Sequence, residues 1–330
     1  MRAWQVKELA DPAQALALEE LEKPEREEGQ VLIKTQTAAL NFFDILLCQG
    51  KYQEKPPLPF TPGAEIAGTV EAADSGSDFQ VGQKVLARPA LPNGGFAEWV
   101  SVPEASVFRV PESMSFQEAA AMYITYQTAC YALHDRANIK TGDVLLVHAG
   151  SGGVGSAAIQ LGKAVGARVI ATAGGPEKVQ VCKDLGADVA IDYKAEDFVD
   201  TVKKETDGRG ADIIFDPVGS DTFDRSRKCI NFAGRILVVG FAGGRIPEAP
   251  TNHALVKNYS IVGVHWGYFA KLYEDEMIRM HHTLCDMYEA GEIKPLIYDE
   301  FPFEEVPHAL DLLGDRKTYG KVVVDVGGEA

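Results

Sequence analysis

Apolar positions along this chain follow two different rhythms. In its middle, Val144–Ala149 is a short continuous apolar run, the pattern of a strand buried on both faces. It passes directly into Gly150-Ser151-Gly152-Gly153-Val154-Gly155, and then into a stretch with apolar residues at helical spacing, Ala157, Ala158, Leu161 and Val165. A second apolar strand, Arg168–Ala173, follows. Further runs predict strands over Asp188–Tyr193, Ala211–Val218, Arg235–Gly240 and Asn258–Gly267, with helices over Glu196–Thr206 and Asp221–Phe232 between them. Strands alternating with helices imply a parallel sheet with right-handed crossovers, whose ligands sit at the carboxyl ends of the strands.

The first part of the chain has another texture. Val31–Ala39, Ala64–Ala72, Lys84–Ala87 and Phe96–Val102 read as short strands between turns marked by glycine and proline, as in a partly open barrel. Ser115–Leu133 carries helical periodicity and leads into the alternating region. From Ile297 the pattern returns to strands and ends on Lys321–Val326, so the last segment is expected to rejoin the first domain. The expected organisation is a discontinuous domain, 1–124 with 293–330, into which a dinucleotide-binding domain, 125–292, is inserted.

The glycines carry the first chemistry. Strand, G-x-G-x-x-G, helix and second strand in this order are the elements that bind a dinucleotide. Gly150 is expected to permit the tight turn, Gly152 to let the backbone approach a pyrophosphate, and Gly155 to allow close helix–strand packing. The free amides and positive dipole end of the helix, reached through Ser151, Gly153 and Val154, then hold the phosphates.

The end of the second strand selects the dinucleotide. NAD sites carry an acid there, about 20 residues after the glycines, for the ribose 2′-hydroxyl. Here Ala171-Thr172-Ala173-Gly174-Gly175 has none, Gly174 leaves room, and Lys178 stands just inside the next helix behind Pro176. NADPH is therefore the expected cofactor. Two other strand ends, Asp216-Pro217-Val218-Gly219 and Gly240-Phe241-Ala242-Gly243-Gly244, are built for close backbone approach. Val218, Phe241 and Ala242 are expected beside the nicotinamide and its ribose. His148 lies inside a buried strand and is expected as a hydrogen-bonded core residue, whereas His281 and His282, on a charged helix, are expected to face solvent.

Composition narrows the class. At 330 residues and 46% hydrophobic, the chain can bury two cores. No apolar run approaches the roughly 20 residues of a membrane span, and the first residues lack a signal-peptide pattern. A net charge of −16 repels nucleic acid. Cys48, Cys130, Cys182, Cys229 and Cys285 are scattered and form no C-x-x-C, which points to packing roles in a reducing cytoplasmic compartment.

Several stretches together resemble a known family. They are Asn41-Phe42-Phe43-Asp44, Gln49-Gly50-Lys51-Tyr52, Pro62-Gly63-Ala64-Glu65-Ile66-Ala67-Gly68, Thr128-Ala129-Cys130-Tyr131-Ala132-Leu133, the glycine loop and Arg316-Lys317-Thr318-Tyr319-Gly320-Lys321. The chain is similar over nearly its whole length to the medium-chain dehydrogenase/reductase superfamily, and within it to the zinc-free quinone oxidoreductases of the zeta-crystallin group. Gly240–Gly244, Lys257-Asn258 and His265-Trp266-Gly267 resemble the quinone oxidoreductase-like 2 subgroup in particular. The resemblance implies an α/β fold: a Rossmann-type doubly wound parallel sheet domain plus a GroES-like, partly open β-barrel catalytic domain. It further implies a homodimer.

The zinc alcohol dehydrogenases of the superfamily carry G-H-E-x-x-G, with the histidine on catalytic zinc. This chain has Gly63-Ala64-Glu65-Ile66-Ala67-Gly68 and no cysteine just before Asp44, so no metal is expected, and Glu65 is expected to be structural. Without a Lewis acid, the expected reaction is hydride delivery to an already electrophilic acceptor, a quinone or conjugated enone. The resemblance places Tyr52 beside that acceptor, and in related enoyl-thioester reductases the matching tyrosine supplies a proton; the family's Tyr-Pro is Tyr52-Gln53 here. Asn41 is expected to face the cofactor–substrate cleft or to be structural, and Asp44 to organise its loop. His265 and Trp266 are expected to end a strand near the nicotinamide carboxamide, Tyr193 and Arg316 to flank the 2′-phosphate, and Thr128 to join the cofactor site. An enoyl-thioester reductase acting on an acyl-CoA and an NADPH-binding structural or regulatory protein with little turnover are the alternatives.

Overall fold

The computed structural model describes residues 1–327. They divide into two compact units, 1–124 with 295–327, and Thr125–Lys294.

The second unit is built on a six-stranded sheet in which every pairing is parallel. Its spatial order is Val189–Asp192, Arg168–Ala173, Val144–Val147, Ala211–Asp216, Ile230–Val238, Ser260–Gly263. The chain enters at the centre, works outward to one edge, then crosses back to fill the other side. The carboxyl end of Val144–Val147 is therefore the point where strand order reverses, the place at which doubly wound sheets bind ligands. Leu145, Leu146 and Val147 are wholly buried, each contributing about 1.5–3 kcal/mol through removal from water.

Three boundaries differ from the sequence reading. The helix expected over Asp221–Phe232 stops at Ser226, because Ile230 already pairs with Ala211 and opens the strand Ile230–Val238. Asn258 adopts a left-handed conformation that ends the helix Thr251–Lys257, so the last strand begins only at Ser260. Nor do His265 and Trp266 end that strand: the His265 ring accepts a hydrogen bond from the Tyr268 amide and starts the helix Trp266–Leu272. His281 is a further correction. The helix Glu274–Glu289 buries Met277, Met280, His281 and Leu284, a stripe at i, i+3, i+4 and i+7 that carries the histidine into the core, while His282 faces solvent.

The first unit is a curved sheet in the order Ile297–Pro302, Lys321–Asp325, Gln30–Ala39, Ile66–Ala72, Lys84–Ala87, Val107–Arg109, with Trp99–Pro103 also pairing on Gln30–Ala39. Lys321–Asp325 pairs antiparallel with the far end of Gln30–Ala39, matching Val323 to Ala39. The last segment thus rejoins the first through backbone hydrogen bonds. Inside lie Val31, Ile33, Phe60, Ile66, Phe96, Val322 and Val324, all nearly inaccessible.

Candidate functional site

In the second unit the glycine loop leaves Val144–Val147 and becomes the N-terminus of the helix Gly153–Ala164, with Gly152 as its capping residue. The turn's left-handed residue is Ala149, at φ +50°. Gly150 is needed for space: a Cβ there would stand 2.9 Å from the Ala171 Cβ and 3.0 Å from the Cys182 sulfur. A Cβ on Gly155 would meet the Ala149 carbonyl oxygen at 2.2 Å, which is the close approach expected of that position. Gly152 is different, since its nearest obstacle is the Ala149 carbonyl at 3.3 Å, and the loop stays open there. Gly153 and Val154 form the first turn, whose amides have no partner within the helix, and Ser151 just before them is buried. This cradle fits a pyrophosphate.

At the end of Arg168–Ala173, Gly174 leads into Gly175, at φ +96°. A Cβ on Gly174 would touch the Tyr193 hydroxyl at 2.6 Å and Lys194 Cε at 3.2 Å, so both side chains lie over this glycine. Lys178 is half-buried in the helix Pro176–Asp184 that follows. The sequence reading missed two neighbours. Lys194 adds a cation beside Tyr193. Asp192 does bring a carboxylate to the loop, but the Gly175 and Lys194 amides donate to its Oδ1 at 2.9 and 3.0 Å. The signal for both was their place at the end of the adjacent strand.

The two other strand-end loops meet each other. The Asp216 carboxylate accepts from the amides of Val218 and Gly219 at 2.8 and 2.9 Å, stapling that turn. The Ala242 and Gly243 amides then donate to the carbonyls of Pro217 and Val218. Val218 is thereby placed against the segment that carries Phe241 and Ala242, both of which remain exposed. His265 is exposed, Trp266 is buried as the first residue of its helix, and Thr128 is half-buried in the helix Phe116–Cys130. His148 is a core residue, its ring nitrogens 3.0 and 2.8 Å from the hydroxyls of Thr172 and Ser226. Burial pushes its pKa down to about 3, so it stays neutral.

In the first unit, Asn41 caps the short helix Phe42–Cys48. Its amide is fully engaged: Nδ2 donates to Glu65 at 2.9 Å, and Oδ1 accepts from Lys321 at 2.7 Å. Asp44 accepts from the backbone amides of Asn41 and Gly63, organising the segment between them. Burial pushes the Asp44 carboxyl up to about 7 against those hydrogen bonds. Tyr52 is half-buried and stacks on Phe43 with ring centroids 5.3 Å apart. Burial, helped by the charge of Glu54 and opposed by Arg88, raises its phenol above the ordinary value, so it carries its proton at neutral pH. Arg316 is exposed, at φ +58°, just after the helix Val306–Gly314.

Among the described residues, no group of three or more histidines, cysteines, aspartates or glutamates is placed to hold a metal ion. No helix among them is long and apolar enough to cross a membrane.

These two architectures, a doubly wound sheet with an open glycine loop and a barrel-like unit with a capped helix that leads into a tyrosine segment, are shared with known proteins. Residues 153–282 match the family described as zinc-binding dehydrogenase, and residues 27–112 match the alcohol dehydrogenase GroES-like domain. The quinone oxidoreductase-like protein 2 homolog of Nematostella vectensis is 40% identical over 302 residues, covering 90% of this chain and 82% of the relative. The chain belongs to the medium-chain dehydrogenase/reductase superfamily, in its quinone oxidoreductase-like protein 2 group. Among solved structures, a mycobacterial protein complexed with NADPH superposes with a TM-score of 0.90 at 31% identity, covering 98% of this chain and 99% of the other. The Escherichia coli quinone oxidoreductase complexed with NADPH gives 0.91 at 26% identity, over 98% of this chain and 100% of the other.

Proposed function

We propose that this protein is an NADPH-dependent oxidoreductase, working without zinc, that reduces a quinone or a conjugated enone. The observation that carries the reading is the open glycine loop at the reversal point of the parallel sheet, in a fold whose relatives are solved with NADPH. The loop amides and helix N-terminus take the pyrophosphate. Tyr193, Lys178 and Lys194 take the ribose 2′-phosphate; the expected room at Gly174 is filled by Tyr193 and Lys194, and the open glycine is Gly175, where a Cβ would meet nothing within 4 Å. Val218, Phe241, Ala242, His265, Trp266 and Thr128 belong to the nicotinamide side. When bound, NADPH supplies a hydride.

The chain's own residues do the rest. Tyr52 keeps its proton in a half-buried setting and gives it to an acceptor carbon that needs one. Asn41 sets the start of the helix that carries the tyrosine segment. The donor set supports chemistry without zinc: alanine stands at position 64, and the carboxylates near it are held by backbone amides and Lys321. A quinone suits such a site because its reduction places charge on oxygen, which water can protonate.

Partners follow the same reading. The substrate is a small molecule, the net charge of −16 turns nucleic acid away, and the free thiols suit a reducing cytoplasm. A homodimer is supported by the outer strand Ser260–Gly263, which is paired on one side only, and by exposed Ile261, Leu255, Val256 and Phe232 on it and its flanking segments.

The test is NADPH oxidation followed with quinones, enones and enoyl-CoA thioesters, with cofactor titrations and metal analysis. Turnover of quinones or enones, NADPH bound more tightly than NADH, and activity unchanged by chelators are expected. Turnover confined to enoyl-CoA would make it an enoyl-thioester reductase, and tight NADPH binding with no turnover would make it a structural or regulatory protein.

A further inference from the structure

Lys321 and Glu65 form an ion pair inside the first unit, with side chains 5% and 0% exposed. Such pairs are costly to bury, and an apolar pair of similar volume often serves stability as well. This one is satisfied to its last hydrogen. The Lys321 ammonium has three donors, and they go to the Leu40 carbonyl at 2.8 Å, the Asn41 Oδ1 at 2.7 Å and the Glu65 Oε1. The same Glu65 oxygen receives Asn41 Nδ2, and its other oxygen receives the Ile124 amide at 2.9 Å. Asn41 is thus gripped from both ends of its amide, and a flipped amide would set its NH₂ against the ammonium and its oxygen against the carboxylate.

From Asn41 the grip runs to Tyr52 without a gap. The Asn41 backbone N–H donates to Asp44 Oδ2 at 2.8 Å, fixing the first turn of the helix Phe42–Cys48. The Lys51 and Tyr52 amides both donate to the Leu46 carbonyl, at 2.8 and 3.2 Å. The Tyr52 ring rests on Phe43. Tyr52 is therefore referenced to the helix at two points, and the helix to Lys321 and Glu65 through its cap.

We propose that Lys321, acting through Glu65 and Asn41, is a positioning residue for Tyr52: the closing strand sets where the helix Phe42–Cys48 begins, and so where the phenol stands. This rests on the reading of Tyr52 as the residue beside the acceptor. Reaction geometry is demanding, and a displacement of about 1 Å costs on the order of 100-fold in rate.

The experiment places 3-fluorotyrosine at position 52 of the full chain and combines it with the double substitution Glu65→Gln, Lys321→Met, which removes both charges of the pair and leaves Asp44 on its two backbone amides. The ¹⁹F resonance should shift or broaden, and kcat for an enone should fall at least tenfold with KM and NADPH affinity within about twofold of wild type. In a Tyr52→Phe background the same double substitution should cost little more, because the group it displaces is gone. If the double variant fails to fold, Asn41→Ser replaces it, keeping a helix cap while releasing the amide and leaving the ion pair intact. An unchanged fluorine resonance, or a loss equally large in the Tyr52→Phe background, overturns the proposal. If Tyr52→Phe alone spares enone turnover, the proton-donor reading fails, and the fluorine resonance by itself decides the positioning.

Discussion

Gly155 and Asp44 show how much single positions constrain this molecule. A Cβ on Gly155 meets a backbone carbonyl, which cannot rotate away as a side chain would. Gly155→Ala should therefore destabilise the second unit by about 1–3 kcal/mol, the usual cost of overpacking. It should also weaken NADPH binding, and denaturant unfolding with a cofactor titration measures both. Retained stability together with unchanged affinity would show that the turn relaxes freely. Asp44 adds a pH dependence of its own. Its folded pKa, about 7, lies above the ordinary value of 3.8, so folding favours the protonated form. Its contribution to stability is complete below about pH 4 and is lost as pH rises through about 7. Wild type minus Asp44→Asn should thus show stability falling across that window, read from unfolding curves at pH 4, 5.5, 7 and 8. A flat difference would mean that Asp44 stays ionised in the fold.

Among the elements, the strand-end loops depend on one carboxylate. Asp216 is 1% exposed and accepts two amides of the turn that supports Ala242 and Gly243. Asp216→Ala leaves those amides unpaired, at about 1–3 kcal/mol for a buried donor left unsatisfied. We expect a lower Tm and NADPH affinity reduced about tenfold, a factor worth about 1.4 kcal/mol. The glycine-loop cradle itself should stay intact. A normal Kd beside a lowered Tm would remove Val218 and Ala242 from the cofactor site. The elements were largely legible in the sequence. Arg168–Ala173 and Lys84–Ala87 have the boundaries their patterns predict, because each is an unbroken run bounded by turn residues. Ile230–Val238 was legible only from Arg235 on, since its first half, Ile230-Asn231-Phe232-Ala233-Gly234, has helical spacing as much as strand alternation and only the pairing with Ala211 decides it.

For the whole molecule, the outer strand Ser260–Gly263 is the feature that looks outward. Of the sheet's two outer strands, Val189–Asp192 and Ser260–Gly263, the second has exposed Ile261, Leu255, Val256 and Phe232 on it and its flanking segments, a template for a second copy that a two-fold axis would bring edge to edge. Ile261→Lys puts a charge on that edge without entering either core. Light scattering should find a dimer for wild type and a monomer, folded by circular dichroism, for the variant. A dimer that survives the charge would place the interface elsewhere.

What the sequence determined by itself was order and facing: which runs are strands, which glycine stretch joins a strand to a helix, and that no acid closes the second strand. These follow from local periodicity and steric room, which depend on near neighbours only. What the tertiary structure decided was partnership. The Asn41 side-chain oxygen accepts from a lysine 280 positions further along. Tyr193 and Lys194 cover Gly174 from the next strand, Asp192 spends its charge on amides beside them, and His281 joins a buried stripe. The left-handed turn residue before the glycine loop is an alanine. Periodicity states which face of an element turns inward; only the register between strands distant in sequence states what it meets there.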